Sequence, residues 1–211
     1  MRTYVIMGIL FFAFPSTAHL PRLVSENSLE NPIVVTDPEI SQAFYGRLTG
    51  KPDYFKIQSS QLFKLYVNIL VPEVMGARID FIADIFRDQV QIMTLKDAGW
   101  THFYEHFAGD NYIRGPEFEQ WVDSGTYVIK ISNEDNLGAY ILAIGKKEWF
   151  TPSEIINLYH VLPYIKEEFF QKSPLTAYFN LFTLLLVGMV ALIISFAAPL
   201  IRYIVKLWSK N

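Results

Sequence analysis

Residues 61–71 read QLFKLYVNILV. Phe63, Leu65, Val67, Ile69 and Val71 fall on one side of an extended chain, and Lys64, Tyr66 and Asn68 on the other. Apolar residues that return every second position line one face of a strand, because successive Cβ atoms point to opposite faces. The same period extends outward from this stretch. In residues 78–86, Ile79, Phe81, Ala83 and Ile85 alternate with Asp80, Ile82 and Asp84. Residues 125–132, GTYVIKIS, place Tyr127, Ile129 and Ile131 together, and residues 138–145, GAYILAIG, place Tyr140, Leu142 and Ile144 together. Further strands are expected at 33–36, 42–48, 53–58, 91–95 and 101–105.

The segments between the runs carry turn residues. Gly46, Gly50-Lys51-Pro52, Pro72, Met75-Gly76, Ala98-Gly99, Ser124-Gly125 and the stretch Asn133 to Gly138 punctuate the chain. Asn, Asp and Gly tolerate the positive φ of tight turns. Many short strands, turn signals between them and no helical period before residue 152 predict a mainly β fold. The expected form is an antiparallel, jelly-roll-like β-sandwich over 33–150, preceded by an extended lead-in at 19–32. At Thr151-Pro152-Ser153-Glu154 the period changes. Thr151 or Ser153 can cap a helix that Pro152 opens. That helix is expected to run to about Val161 and to break at Pro163, within a helical connector spanning 151–174.

The two ends differ from this domain. Arg2, the apolar run Tyr4 to Phe14, Pro15 and the small residues Ser16-Thr17-Ala18 form the pattern of an export signal over 1–18, cleaved after Ala18. Ala177 to Ile201 carries no charge. Within an expected transmembrane helix at 175–201, that run is long enough to span a bilayer with some tilt. Pro199 marks a point where the helix can kink. The tail 202–211 is basic. Arg202, Lys206 and Lys210 recur every fourth residue, and Tyr203 and Trp208 are types that settle at the lipid–water boundary. The near-neutral set Lys166, Glu167, Glu168 and Lys172 lies on the other side. The expected topology is a single-pass type I protein of the cell membrane, its N-terminal domain periplasmic or extracellular and its C-terminus cytoplasmic.

Composition narrows the function classes. Removing both ends leaves about 155 residues, enough for one core. The formal charge of −3 and the absence of a basic cluster argue against a nucleic-acid partner. No cysteine is present, so an exported domain must rely on core burial without disulfides. With no Asn-x-Ser/Thr sequon, this leans towards a bacterial envelope.

Two segments carry a family resemblance. Gly46, Asp53-Tyr54-Phe55 and the strand Leu65 to Leu70 form one; Gly125-Thr126-Tyr127 and Gly138-Ala139-Tyr140, flanking a polar turn, form the other. They resemble the opening strands and last hairpin of the pre-peptidase C-terminal domain family and its jelly-roll relatives. The resemblance covers about two-thirds of residues 40–145. It implies a small β-sandwich that accompanies other domains or binds a polymer or partner, without catalysis. The chain departs from that family in three ways. Pro52-Asp53 stands where paired aspartates flank the aromatic step, an insertion runs from Asp97 to Asp123, and no protease domain is present. An envelope-protein family of the same type is the reading that accommodates these departures.

The insertion holds the candidate binding residues. Trp100, Tyr104, Tyr112 and Trp121 stand among His102, Glu105, Arg114 and Glu117, with Phe103, Phe107 and Phe118 between. Aromatic rings beside carboxylates suit a protein interface or a glycan site; the bland alternative is a second small core. Glu105 and Glu117 are a conceivable pair of glycosidase carboxylates. His102, Glu105 and His106 invite a zinc site, but the order His-Glu-x-x-His is absent. Asp80, Asp84 and Asp88, and separately Asn133, Asp135 and Asn136, could meet calcium, although solvated faces and turns explain both. No nucleophile elbow, phosphate loop or dinucleotide fingerprint occurs. The expectation is a non-enzymatic interaction module of the cell envelope, without cofactor. Its partners would be the bilayer and an envelope protein. A glycan-binding module built on residues 100–121 is the alternative, and an anchored hydrolase a more distant one.

Overall fold

The computed structural model describes residues 19–97, 99–106, 108–149 and 151–208; within the last helix, the side chains of residues 181, 182, 185, 200, 203, 204 and 207 fall outside the description. The export signal expected over 1–18 therefore lies outside the described residues.

The described residues are mainly β, in two sheets. The strands are β1 (Leu20–Leu23), β2 (Ile33–Val34), β3 (Gln42–Thr49), β4 (Asp53–Ser59), β5 (Phe63–Pro72), β6 (Ile82–Arg87), β7 (Val90–Leu95), β8 (Thr101–Glu105), β9 (Asp110–Val122), β10 (Gly125–Ser132) and β11 (Leu137–Ile144). One sheet has the order β1-β3-β11-β5-β9-β8 and the other β2-β4-β10-β6-β7. The hydrogen-bonded pairs are antiparallel except at two edges, where β1 runs parallel to β3 and β2 parallel to β4. The lead-in is thus an edge strand, with Leu20 buried beneath it.

The inward faces meet in a single core. Phe63, Leu65, Val67, Ile69 and Val71 of β5 face Phe55, Ile57, Phe81, Ala83, Ile85, Tyr127, Ile129 and Ile131 of the other sheet. The two-residue period therefore marks the inner face. It does not mark a solvated outer one: Tyr66, Asn68 and Leu70 are also buried. Part of that outer face lies under α1 (Pro152–Glu168), whose Ile165, with Phe169 and Phe170 just past the helix end, covers Tyr45, Leu70, Tyr112 and Ile141 of the six-stranded sheet, while Asn68 donates to the Gly115 and Pro116 carbonyls.

The start of α1 agrees with its sequence. Thr151 and Glu154 form a reciprocal capping box, and Glu154 also pairs with Arg22 of β1 at 2.9 Å. Its course does not, because the helix continues through Pro163 to Glu168. A mid-helix proline costs about 3 kcal/mol. Burial of Leu158, Leu162 and Ile165 on either side of it offsets that cost. Two other expectations shift. The strand expected from residue 79 begins at Ile82, since Arg78 upstream is tied to both Asp80 and Asp135. The insertion 97–123 is the β8–β9 hairpin, continuous with the large sheet.

A short 3-10 turn (Pro174–Tyr178) leads to α2 (Leu181–Trp208), which passes through Pro199. Among the described residues no helix is long and apolar enough to cross a membrane.

Candidate functional site

The residues of the family-like motifs are brought together by β-pairing. Tyr140 of β11 lies opposite Gly46 of β3. Its ring occupies the space a Cβ at Gly46 would need, and its hydroxyl donates to Asp53 Oδ2 at 2.6 Å. Asn27 Nδ2 donates to the other carboxylate oxygen at 2.8 Å. Burial raises the Asp53 pKa, against the opposing effect of these bonds. The glycine, the acidic step and the closing hairpin thus serve one buried structural knot.

The outer face of the six-stranded sheet divides into a covered and an open half. Under α1, the Tyr45 and Tyr112 hydroxyls meet at 2.7 Å, and burial raises the pKa of both phenols. A cavity of about 70 Å³ beside them is lined by His19, Glu105, Leu158 and Asn180, among others. His19 Nδ1 meets Ser41 Oγ at 2.5 Å. Burial, then the charges of Arg114 and Lys146, lower the pKa of its imidazole to about 4.

At the C-terminal end of α1 sits a buried charge cluster. Lys166 Nζ donates to Asp110 Oδ2 and to the Ala108 carbonyl, both at 2.6 Å. Lys172 Nζ donates to Asp110 Oδ1 at 2.8 Å and to the Gly109 carbonyl at 3.1 Å. Lys166 and Asp110 are 1% exposed, Lys172 37%. The cluster ties α1 and the chain after it to the tip of the β8–β9 hairpin. Its sequence signal was weak: Asp110 is one of several charges scattered among the aromatics of the insertion, and the lysines read only as part of the near-neutral set flanking the expected membrane helix.

On the open half, Glu119 joins Lys64, at 2.5 Å, and Lys146. Hydrogen bonds from Lys146 and then Lys64 lower its pKa. Lys146 Nζ lies 4.1 Å from the centre of the Tyr66 ring, and the Tyr66 hydroxyl donates to Glu117 Oε2 at 3.0 Å. Trp121, opposite Lys64 in the ladder, is 63% exposed beside them.

The eight candidate binding residues do not form one site. Trp100 packs against the core, its ring over Gly115, where a Cβ would lie 2.6 Å from it. Tyr112 is buried under α1. The Arg114 guanidinium lies 3.9 Å over the Phe103 ring, and its Nε is buried without a partner. Glu105 accepts the Ala108 N–H at 2.6 Å. His102 and Tyr104 are exposed on the edge strand β8, His102 Nδ1 at 2.9 Å from Glu73 Oε1. Tyr104 pairs with Asn111, ten residues along β9 from Trp121, so the two exposed rings are about 30 Å apart. Glu117 is seven residues beyond Asp110, the partner of Glu105. That spacing of about 20 Å exceeds what either glycosidase geometry uses. Phe107 lies outside the described residues.

The metal-binding suggestions meet other occupants. Arg78 binds Asp80 and Asp135, and Asn133 Nδ2 reaches Asp80 at 3.3 Å. A guanidinium therefore sits where two of the proposed calcium ligands converge. Asp84 accepts from Thr94 and Gln91, and His106 packs edge-on against Tyr104. Among the described residues no cluster of three metal-binding side chains occurs. In the tail, Arg202, Lys206 and Trp208 are exposed on α2. The Tyr203 side chain and Lys210 lie outside the described residues.

The structure resembles the pre-peptidase C-terminal domain of a collagenase from Bacillus anthracis, with a TM-score of 0.36 and 14% identity over 57% of this chain and 98% of that one. A second similarity, to a β-glucosidase from Paenibacillus barengoltzii, has a TM-score of 0.26 and 12% identity over 59% of this chain and 13% of the other. No protein-family model and no curated protein matches the chain.

Proposed function

We propose that the chain is a membrane-tethered β-sandwich that works as a non-catalytic binding module of the cell envelope, its sandwich outside the cytoplasm and its basic tail inside. The observation that carries the tether is the surface of α2. Leu184, Val187, Met189, Val190, Leu192, Ile193, Ile194 and Phe196 are all exposed. Consecutive exposed positions point around the whole helix, and a helix apolar on every side is at rest only in a core or in lipid. No Asp, Glu, Lys or Arg occurs between Leu181 and Ile201. The binding surface in this reading is the open half of the large sheet. There Trp121 offers an exposed aromatic anchor beside the charges of Lys64, Glu119 and Lys146. An envelope protein fits that surface better than a glycan site built on residues 100–121, because the other exposed candidate ring of that segment, Tyr104, is far away.

The lack of native cysteine makes topology directly testable. Ser60→Cys, in the exposed turn before β5, should react with a membrane-impermeant maleimide in intact cells. Ser209→Cys in the tail should react only after permeabilisation. Labelling of both positions, or of neither, in intact cells contradicts the proposed orientation. Crosslinking in native membranes then tests the surface: a stoichiometric protein partner should be recovered with the wild-type chain and lost with Trp121→Ala.

A further inference from the structure

A groove of about 810 Å³ opens where the sandwich meets the start of α2. One wall is the tip of the β8–β9 hairpin with Lys166 and Lys172; the other runs from Thr176 down to Leu184 and Val187. The lining changes character along its length. Lys166, Lys172 and His106 stand at the domain end, Tyr104, Tyr178 and Phe179 flank the middle, and the aliphatic side chains of α2 close the far end. No carboxylate lines it. Asp110 holds both lysines from behind, and Glu105 faces the separate cavity under α1. Lys172 uses two of its three N–H bonds on Asp110 and Gly109, which leaves one for a ligand. Tyr178 is 42% exposed, the kind of side chain that settles at the headgroup level.

We propose that this groove binds one anionic phospholipid, its phosphate at Lys172 and His106 and an acyl chain along Leu184 and Val187. This rests on the tether reading above, which sets the start of α2 at the lipid–water boundary. Charge complementarity chooses an anionic headgroup. The continuous apolar end chooses a lipid over a soluble phosphate ester, which would leave Leu184 and Val187 uncovered. The buried lysine–aspartate cluster supplies rigidity, since Lys172 is aimed by Asp110 before any ligand arrives. The lipid would then set the height and tilt of the sandwich over the membrane.

The test uses the full-length chain in nanodiscs of phosphatidylcholine alone or mixed with phosphatidylglycerol. Lipid retention is read by native mass spectrometry after detergent exchange. Phosphatidylglycerol should be retained about fivefold over phosphatidylcholine, the worth of one lysine near an anionic surface. Lys172→Gln should bring the two to parity, whereas Lys51→Gln, in the turn between β3 and β4 and outside the groove, should change nothing. Val187→Trp, on an exposed position, should displace the lipid without touching the charge cluster; its circular dichroism should match wild type. Equal retention of both lipids by the wild type overturns the proposal, as does selectivity that survives both Lys172→Gln and Val187→Trp. Binding of glycerol phosphate to the detergent-solubilised chain at the affinity of phosphatidylglycerol would show a soluble ligand and equally defeat it. Failure of the chain to enter nanodiscs at all is a separate result, against the tether itself.

Discussion

Gly46 shows how one residue can decide a contact between strands. The Tyr140 ring lies where its side chain would be, and that ring's hydroxyl holds the buried Asp53. Gly46→Ala should destabilise the sandwich by about 2 kcal/mol through overpacking, read as a lower urea midpoint of the full chain in detergent. An unchanged midpoint would mean the Tyr140 ring moves aside freely. His19 sets a pH response. Its folded pKa, near 4, lies below the usual 6.5 for histidine, so the folded state binds fewer protons than the unfolded one. The stability it contributes is complete above about pH 6.5 and is lost as pH falls towards 4. Urea midpoints measured across that window should fall with acid, and His19→Gln should flatten the slope. Asp53 acts in the opposite sense. Its raised pKa favours the protonated folded form, so its contribution is lost as pH rises through that value.

Among the elements, α1 carries the most tertiary information. Its cap is legible in Thr151 and Glu154, while its length is not, because Pro163 is a local stop signal that packing on the sheet overrides. Its C-terminal end depends on the Lys166–Asp110–Lys172 cluster. Asp110→Ala would leave Lys166 buried without a counter-ion, a loss of about 3–5 kcal/mol for this kind of change. Amide hydrogen exchange should then rise along α1 and the tip of the β8–β9 hairpin well before the central strands. Uniform protection across α1 in that variant would assign the docking to the apolar contacts of Phe169 and Phe170 instead. The β8–β9 hairpin illustrates the same limit. Its aromatics read as one cluster along the chain, but alternation, inverted by a β-bulge in β9 between Arg114 and Glu117, sends Trp100 and Phe118 into the core and Tyr112 under α1, and leaves Trp121 outside.

At the scale of the whole molecule, the sandwich and α2 have opposite solvent requirements. The sandwich closes its core internally, whereas α2 exposes apolar side chains over most of its described surface. On the tether reading, dilution of the purified chain below the critical micelle concentration should cause self-association through α2, seen by light scattering. Intrinsic fluorescence of the sandwich should stay native. A monodisperse monomer without detergent would remove the basis of the tether.

The sequence alone determined the mainly β class and the inward faces of β5, β6, β10 and β11, because a period of two is a local property of the backbone; the bulged β9 was not legible. It also placed the start of α1. The tertiary structure decided what lies outside that first core. It paired the lead-in with β3, carried α1 through its proline, scattered the aromatics of residues 100–121 and assembled the lysine–aspartate cluster from positions 56 and 62 residues apart. Those outcomes depend on strand order and on which apolar surface remains uncovered when the sheets have closed, and neither is written in any local stretch of chain.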